Sequence, residues 1–164
     1  MQKDLEAEFL SDFEKNQNIA HKICRMYTTD QEAHNDLFQE ITIQLWKNYS
    51  KFRGDAKFST WMYRVALNTA ISLYRKSTKS IKTDDFSNVA FRISSTEYDD
   101  TEEKQLEALY KAIHQLNDID KALIFLYLED KNFHEIAETL GISNVNARVK
   151  MNRAKEKLKS ILNP

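Results

Sequence analysis

The sequence has few of the residues that interrupt helices and few that form cross-links. Its 164 residues include one proline, two glycines and one cysteine. Because proline and glycine break helices most strongly, and because alternating β-branched runs are scarce, the chain is predicted to be all-helical. A single cysteine, Cys24, excludes an internal disulfide, which suits a reducing compartment.

Long apolar runs and catalytic motifs are absent as well. No run approaches the roughly 20 apolar residues that span a bilayer, and the N-terminus has no basic-then-apolar signal segment. We therefore expect a cytoplasmic protein with no direct membrane insertion. The four histidines show no paired ligand spacing, so no metal and no cofactor are expected. Without a nucleophile–base set or a phosphate-binding loop, we do not expect an enzyme.

The net charge of −1 conceals a strong division along the chain. Residues 77–103 carry three basic and seven acidic side chains, a net charge of −4. Residues 131–164 carry seven basic and three acidic side chains, a net charge of +4. Since nucleic-acid binding depends on where Lys and Arg lie, the C-terminal segment is a candidate for contact with phosphates.

The most informative segment is residues 131–159, which read KNFHEIAETLGISNVNARVKMNRAKEKLK. Its apolar residues have helical spacing up to Gly141, which can end a helix in the left-handed conformation. A second, basic helix then runs to about Leu158, capped by Ser143 or Asn144. This is the pattern of a helix-turn-helix, whose second helix enters the DNA major groove.

The remaining segments complete an all-α architecture of two small helical domains joined by a flexible linker. The first domain, residues 1–76, is predicted to contain four helices, two of them before residue 28. Residues 77–103 are rich in Ser, Thr and Asp, and are predicted to be a mobile acidic linker. The second domain, residues 104–164, adds two helices before the helix-turn-helix.

A second informative segment lies between residues 51 and 76, which contains six basic residues and one acid, Asp55. Aromatic residues alternate with these charges: Phe52, Phe58, Trp61, Tyr63 and Tyr74. Basic groups attract phosphates, and aromatic faces stack on unpaired bases for about 1–3 kcal/mol each. The surface therefore suits a separated DNA strand. The alternative is that Phe58 and Trp61 are simply core residues.

These residues carry a family resemblance. Residues 36–76, DLFQEITIQLWKNYSKFRGDAKFSTWMYRVALNTAISLYRK, resemble region 2 of the sigma-70 family of bacterial sigma factors. The FHEIAETLGIS and NRAKEKLK segments resemble region 4, and the short linker is similar to that of the extracytoplasmic-function (ECF) group. The resemblance implies a sigma factor that directs core RNA polymerase to specific promoters and helps open the DNA.

The resemblance implies a polymerase-docking face on the helix that begins near Asp36. In the family this helix binds the clamp coiled coil of the largest polymerase subunit. The implied docking residues are Asp36, Gln39, Glu40 and Gln44. Since Asp36 and Glu40 are four residues apart, they share a helix face. Catalysis, a metal site or a merely solvated acidic face are the alternatives for this pair.

Two sets of DNA-binding residues are implied. At the −10 element they are Asn48, Phe52, Arg53, Trp61, Arg64, Asn68, Arg75 and Lys76. Of these, Asn48, Phe52 and Asn68 would line a pocket for a flipped base. At the −35 element they are Asn144, Asn146, Arg148, Lys150 and Arg153. Many relatives have Val-Gly-Thr-Val after the Ser, whereas this chain has Asn-Val-Asn-Ala, which indicates different base preferences.

The implied partners are core RNA polymerase, promoter DNA and a candidate anti-sigma factor. Core polymerase would contribute its clamp coiled coil and the flap of its second-largest subunit, the latter near residues 123–128. Two rival hypotheses remain. A stand-alone helix-turn-helix regulator would bind duplex DNA without polymerase, and a helical adaptor would bind a protein only.

Overall fold

The computed structural model describes residues 2–52, 54–77 and 100–164, and these residues form helices and short connections. The N-terminal domain contains α1 (Gln2–Tyr27), α2 (Gln31–Asn48), a 3₁₀ turn (Tyr49–Lys51) and α3 (Phe58–Ser77). The C-terminal domain contains α4 (Asp100–His114), α5 (Asp118–Leu128), α6 (Phe133–Leu140) and α7 (Asn144–Leu162). The predicted all-α class of two small helical domains is confirmed.

Helix α1 differs from the sequence-based expectation of two helices. It is continuous over 26 residues, because its two apolar stretches continue one buried face and neither proline nor glycine separates them. Both apolar stretches contribute to the core, the first with Phe9 and Phe13 and the second with Ile23 and Met26. One long helix thus forms a side of the N-terminal domain.

Side-chain caps define where three later helices begin. Asn117, Asn132 and Ser143 each accept a hydrogen bond from the backbone N–H three residues further on. Such caps satisfy donors that a helix start leaves unpaired, for about 1 kcal/mol each. Of the two caps predicted for α7, Ser143 and Asn144, the structure has Ser143. Helix α4 begins at Asp100, inside the segment predicted as linker, most of which lies outside the described residues.

The N-terminal domain is a three-helix bundle, and the C-terminal domain packs α4, α5 and α6 around α7. Fully buried side chains such as Ile41 and Met62 form the first core, and Leu123 and Met151 the second. The two cores belong to one continuous apolar cluster. This continuity arises because α1 and α3 pack directly against helices of the C-terminal domain.

Glu129, just after α5, is the central polar residue of the domain interface. Its carboxylate accepts a hydrogen bond from Tyr63 Oη at 2.9 Å and pairs with Lys22 Nζ at 3.0 Å. The Tyr63 ring packs on Phe125, with 5.9 Å between ring centroids, and lies under the ammonium group of Lys131. One carboxylate therefore joins α1, α3 and the end of α5.

A second group of contacts lies at the other end of the interface. Tyr27 Oη donates to the Asp118 carbonyl at 2.6 Å, and Lys121 Nζ lies 5.4 Å from the centroid of the Tyr27 ring. The His114 ring is buried and hydrogen-bonds the backbone of Arg25. The described domains are thus held together by matched polar contacts as well as by apolar burial.

Burial lowers the pKa of three histidines, His114, His21 and His34. Burial, and then the charge of Lys121, lower the pKa of His114 to about 4, although its bond to Arg25 acts in the opposite direction. Burial and the charge of Arg25 also lower the pKa of His21 and His34, whose rings stack. His114 Nε2 has no hydrogen-bond partner within the described part of the chain, so protonation would bury an unpaired donor.

Acidification from pH 7.5 to 5.5 is expected to destabilise the protein. Because the folded pKa of each histidine is below its unfolded value near 6.5, the unfolded chain binds protons first as the pH falls. The stability that each neutral histidine contributes is therefore complete above its unfolded pKa. It is lost progressively as the pH falls from that value toward the folded pKa. His114 alone should contribute about 1 kcal/mol to the change in unfolding free energy, measured by urea denaturation.

The control for this prediction is His114→Gln, in which an amide N–H replaces the imidazole N–H as donor and the side chain does not titrate. Its unfolding free energy should fall less between the two pH values than that of the unchanged protein. An equal slope in both proteins, or a protein that is more stable at pH 5.5, would contradict the assignment.

Candidate nucleic-acid interfaces

The turn between α6 and α7 has the geometry of a helix-turn-helix. Gly141 ends α6 with φ of 69°, a left-handed conformation that glycine adopts without strain. The N–H of Ile142 then bonds the Ala137 carbonyl at 3.0 Å. Ala137 and Ala147 are both buried, and their small side chains allow the two helices to approach closely. Sequence and structure agree on this motif.

Helix α7 has one face buried against the domain and one face exposed to solvent. Ala147, Met151 and Ala154 are buried against the domain. Four predicted −35 residues are exposed: Asn144, Asn146, Arg148 and Arg153. Lys150, the fifth, is half-buried at the edge of the helix. The guanidinium of Arg148 lies 5.3 Å from the centroid of the Phe133 ring, a cation–π contact that holds it beside the N-terminal half of α7.

A groove of about 1090 Å³ lies between α2 and α3 in the N-terminal domain. Four predicted −10 residues line it: Asn48, Trp61, Arg64 and Asn68. Asn48 Nδ2 donates to the Gln44 carbonyl at 2.8 Å, which uses one of its two amide hydrogens. The rest of that amide can bond to a base edge. The structure therefore brings the two asparagines of the predicted base pocket into one groove.

Phe52 is placed differently from the expected pocket residue. It does not line the groove, and its ring packs 5.1 Å from Trp61 and 5.9 Å from Phe58, measured between centroids. Tyr49 also belongs to this aromatic cluster, which contacts the groove through Trp61. Trp61 is half-buried and belongs to both the cluster and the groove.

Several other residues of the basic and aromatic segment lie away from the groove. Phe58 and Tyr63 are buried, so the core interpretation of Phe58 is correct and neither ring can stack on a base. Arg75 is exposed, but its charge acts on Asp118 of the other domain. Arg53 lies outside the described residues, and so does the side chain of Lys76.

The predicted docking residues form a patch on α2. Asp36 and Gln39 are exposed, and Glu40 accepts a hydrogen bond from Gln44 Nε2 at 3.0 Å. Glu40 and Gln44 also line the groove, so this patch and the groove are continuous. Nothing in the described chain arranges three or more His, Cys, Asp or Glu side chains for a metal ion.

Two exposed apolar residues on these surfaces were not predicted from the sequence. Ile43 is 43% exposed among the α2 docking residues, and Val145 is 73% exposed on α7. Lys51, one of the six basic residues of the segment from residue 51 to residue 76, also lines the groove, although it was not named among the −10 residues. The signal for the apolar residues was present in the sequence, since each lies on the outer side of an amphipathic helix, where an apolar residue breaks the pattern.

The apolar run of α5 is divided between core and surface. Residues 122–126 are buried, whereas Tyr127 and Leu128 are each 48% exposed. Lys155 Nζ lies 3.8 Å from the centroid of the Tyr127 ring. Within the described ranges, none of the helices combines the length and apolar character needed to cross a membrane.

Comparisons with known proteins match both domains. The family described as Sigma-70 region 2 matches residues 13–80, and Sigma-70, region 4 matches residues 106–158. The ECF RNA polymerase sigma-E factor of Haemophilus influenzae is 27% identical over 140 residues, covering 79% of this chain and 74% of that protein. RNA polymerase sigma factor YlaC of Bacillus subtilis is 28% identical over 134 residues, covering 78% and 76%.

The fold is also similar to a solved structure. A chain of the complex between the sigma factor RpoE and the anti-sigma factor NepR from Bartonella quintana superposes with a TM-score of 0.70. The match covers 98% of this chain and 97% of that one, at 17% sequence identity. The likeness extends over both helical domains.

Proposed function

The chain belongs to the sigma-70 family, as an RNA polymerase sigma factor of the ECF type, and we propose that three described surfaces divide its work in transcription initiation. The α2 patch binds polymerase, the α2–α3 groove binds the opened −10 element, and α7 reads the −35 element. The observation that carries this proposal is the continuity of patch and groove through Glu40 and Gln44.

Sigma factors bind core RNA polymerase and promoter DNA and are not enzymes. For this chain we assign polymerase binding to Asp36, Gln39, Glu40 and Gln44, with the clamp coiled coil of the largest subunit as partner. Asp36 is exposed and Glu40 is half-buried on the same helix face, and such acids suit a basic partner surface, with Ile43 supplying apolar area beside them. Tyr127 and Leu128 are the exposed apolar residues available for the flap of the second-largest subunit.

The groove is suited to a strand that has left the duplex. Arg64 and Lys51 supply positive charge for phosphates, and Trp61 supplies an aromatic face. Asn48 and Asn68 supply donors and acceptors that can hydrogen-bond the edge of a flipped base. Since unstacking a base costs a few kcal/mol, these contacts would offset the cost of opening the DNA.

The two DNA sites cannot serve both promoter elements while the domains are packed together. The element positions imply a separation of about 25 base pairs, or roughly 85 Å at about 3.4 Å per pair. A compact chain of this length has a radius of gyration of about 15 Å, and hence a diameter of roughly 40 Å. We therefore infer that the domains separate when polymerase and promoter are bound.

The cytoplasm, where transcription takes place, is the proposed location. An anti-sigma factor is a proposed partner, supported by the fold that the chain shares with a sigma factor solved in complex with one. The rival stand-alone regulator leaves the α2–α3 groove without a role, and the region 2 match counts against it. The adaptor hypothesis is likewise disfavoured by the net charge of +4 after residue 130.

The double substitution Asp36→Arg, Glu40→Arg should weaken binding to bacterial core polymerase at least tenfold, because it places like charges against a basic partner. Binding is measured by pull-down and by fluorescence titration. The matched control is Glu103→Arg, Glu107→Arg, which makes the same charge change at the same spacing on α4. If both variants lost affinity equally, or neither did, the α2 assignment would fail.

Trp61→Ala should reduce initiation from duplex promoters more than from templates that are already melted at the −10 element. The expected difference is about tenfold, because the missing ring would otherwise stabilise the opened strand. Open-complex formation on the two templates is the measurement. Equal losses on both templates would instead indicate that Trp61 acts through its packing on Phe52 and Phe58.

A further inference from the structure

We propose that Val145 and Val149 are specificity residues that contact thymine methyl groups in the major groove of the −35 element. This inference rests on the proposed function, in which α7 is the recognition helix. Val145 is 73% exposed, the largest fraction among the exposed large hydrophobic side chains of the described chain. Val149 is 42% exposed. Neither was among the residues expected from the sequence.

Helix geometry places the two valines on the outer face of α7. Residues four apart are neighbours on one side of a helix, so Val145 and Val149 form a short apolar ridge. Ala147, Met151 and Ala154 point the opposite way, into the domain core. The ridge lies within the first six residues of α7, the end that enters the groove in helix-turn-helix proteins.

Exposed polar residues flank the ridge on both sides. Asn144 and Arg148 flank it on one side and Asn146 on the other, and all three are exposed. Arg148 is held against Phe133, so its side chain is oriented before any ligand arrives. Asparagine and arginine can hydrogen-bond adenine and guanine respectively, which leaves the apolar part of the recognition surface to the valines.

The chemistry of the base edges indicates which DNA group the ridge contacts. In the major groove, the thymine C5 methyl is the apolar feature that distinguishes one base from the others. The segment that contains the ridge has a net charge of +4, which complements a duplex and opposes a basic protein partner. Two exposed β-branched residues also weaken an isolated helix, so they contribute little to α7 itself.

The experiment uses holoenzyme assembled from the full chain and core polymerase. Upstream duplex sequences are first selected from a library randomised around the −35 position, and the best sequence is then rebuilt with each thymine replaced by deoxyuracil. This change removes one methyl group and keeps base pairing. We expect about fourfold weaker binding at one or two positions, the effect of losing one buried methyl.

Substitution assigns this effect to the valines. In each of the Val145→Ala and Val149→Ala holoenzymes, replacing thymine by uracil should no longer weaken binding at one position. The thymine and uracil duplexes should then bind alike at that position. Leu162→Ala, at the far end of α7 and 42% exposed, is the matched control and should keep the full uracil sensitivity. Thermal unfolding of each variant checks that the surface substitutions leave the fold intact.

The contrary outcomes are distinguishable. A selected −35 sequence that binds equally well with uracil at every thymine would overturn the valine proposal and leave the recognition helix assignment in place. Uracil sensitivity that persists in both valine variants would also overturn it. If holoenzyme selected no upstream sequence, the −35 assignment of α7 would fail together with this inference. Loss of core polymerase binding in the valine variants would show that the ridge is a protein contact.

Discussion

Packing of α1 and α3 against the C-terminal helices fixes how the two domains are arranged. Glu129 is bound by Tyr63 of α3 and Lys22 of α1, and Phe125 packs on the same tyrosine ring. Because α3 also forms one wall of the α2–α3 groove, the helix proposed to hold the opened strand is also the helix that contacts the C-terminal domain. Binding at one site and domain packing therefore share a structural element.

Packing leaves the individual recognition surfaces open. Arg64 and Asn68 remain exposed on α3, and Asn146 and Arg148 remain exposed on α7. If these surfaces bind the two promoter elements as proposed, packing prevents them from doing so together, because a compact body of this size is much shorter than the distance between the elements. Control of the protein through its domain arrangement would thus act on the spacing of the sites and leave their chemistry unchanged.

The proposed separation of the domains would expose buried groups and would therefore cost free energy. Tyr63, His114 and Lys121 are buried in the closed arrangement, with polar partners drawn partly from the other domain. Water can satisfy the tyrosine and lysine once the domains part, but the apolar area of Phe125 would remain exposed. A partner that covers this area would favour the open form.

The fold was largely predictable because its signals are local. Periodicity and the scarcity of proline and glycine indicate helices, and Gly141 and Ser143 define the turn of the helix-turn-helix through backbone conformation and capping. The break predicted within α1 was wrong because its two apolar stretches continue one face. The site was less predictable, because the contacts of an aromatic side chain depend on residues distant in sequence. Tyr63 is buried against Phe125, and the ring of Phe52 packs on Phe58 and Trp61.

Domain separation is tested most directly by measuring the distance between the domains with and without core polymerase. Cysteines introduced as Lys15→Cys and Ser160→Cys, both at exposed positions, would carry a fluorescent donor and acceptor. Burial raises the pKa of the Cys24 thiol to about 12, so this cysteine should not compete for label. We expect a short distance in the free protein and an increase of tens of ångströms on binding polymerase. An unchanged distance in the bound protein would contradict it.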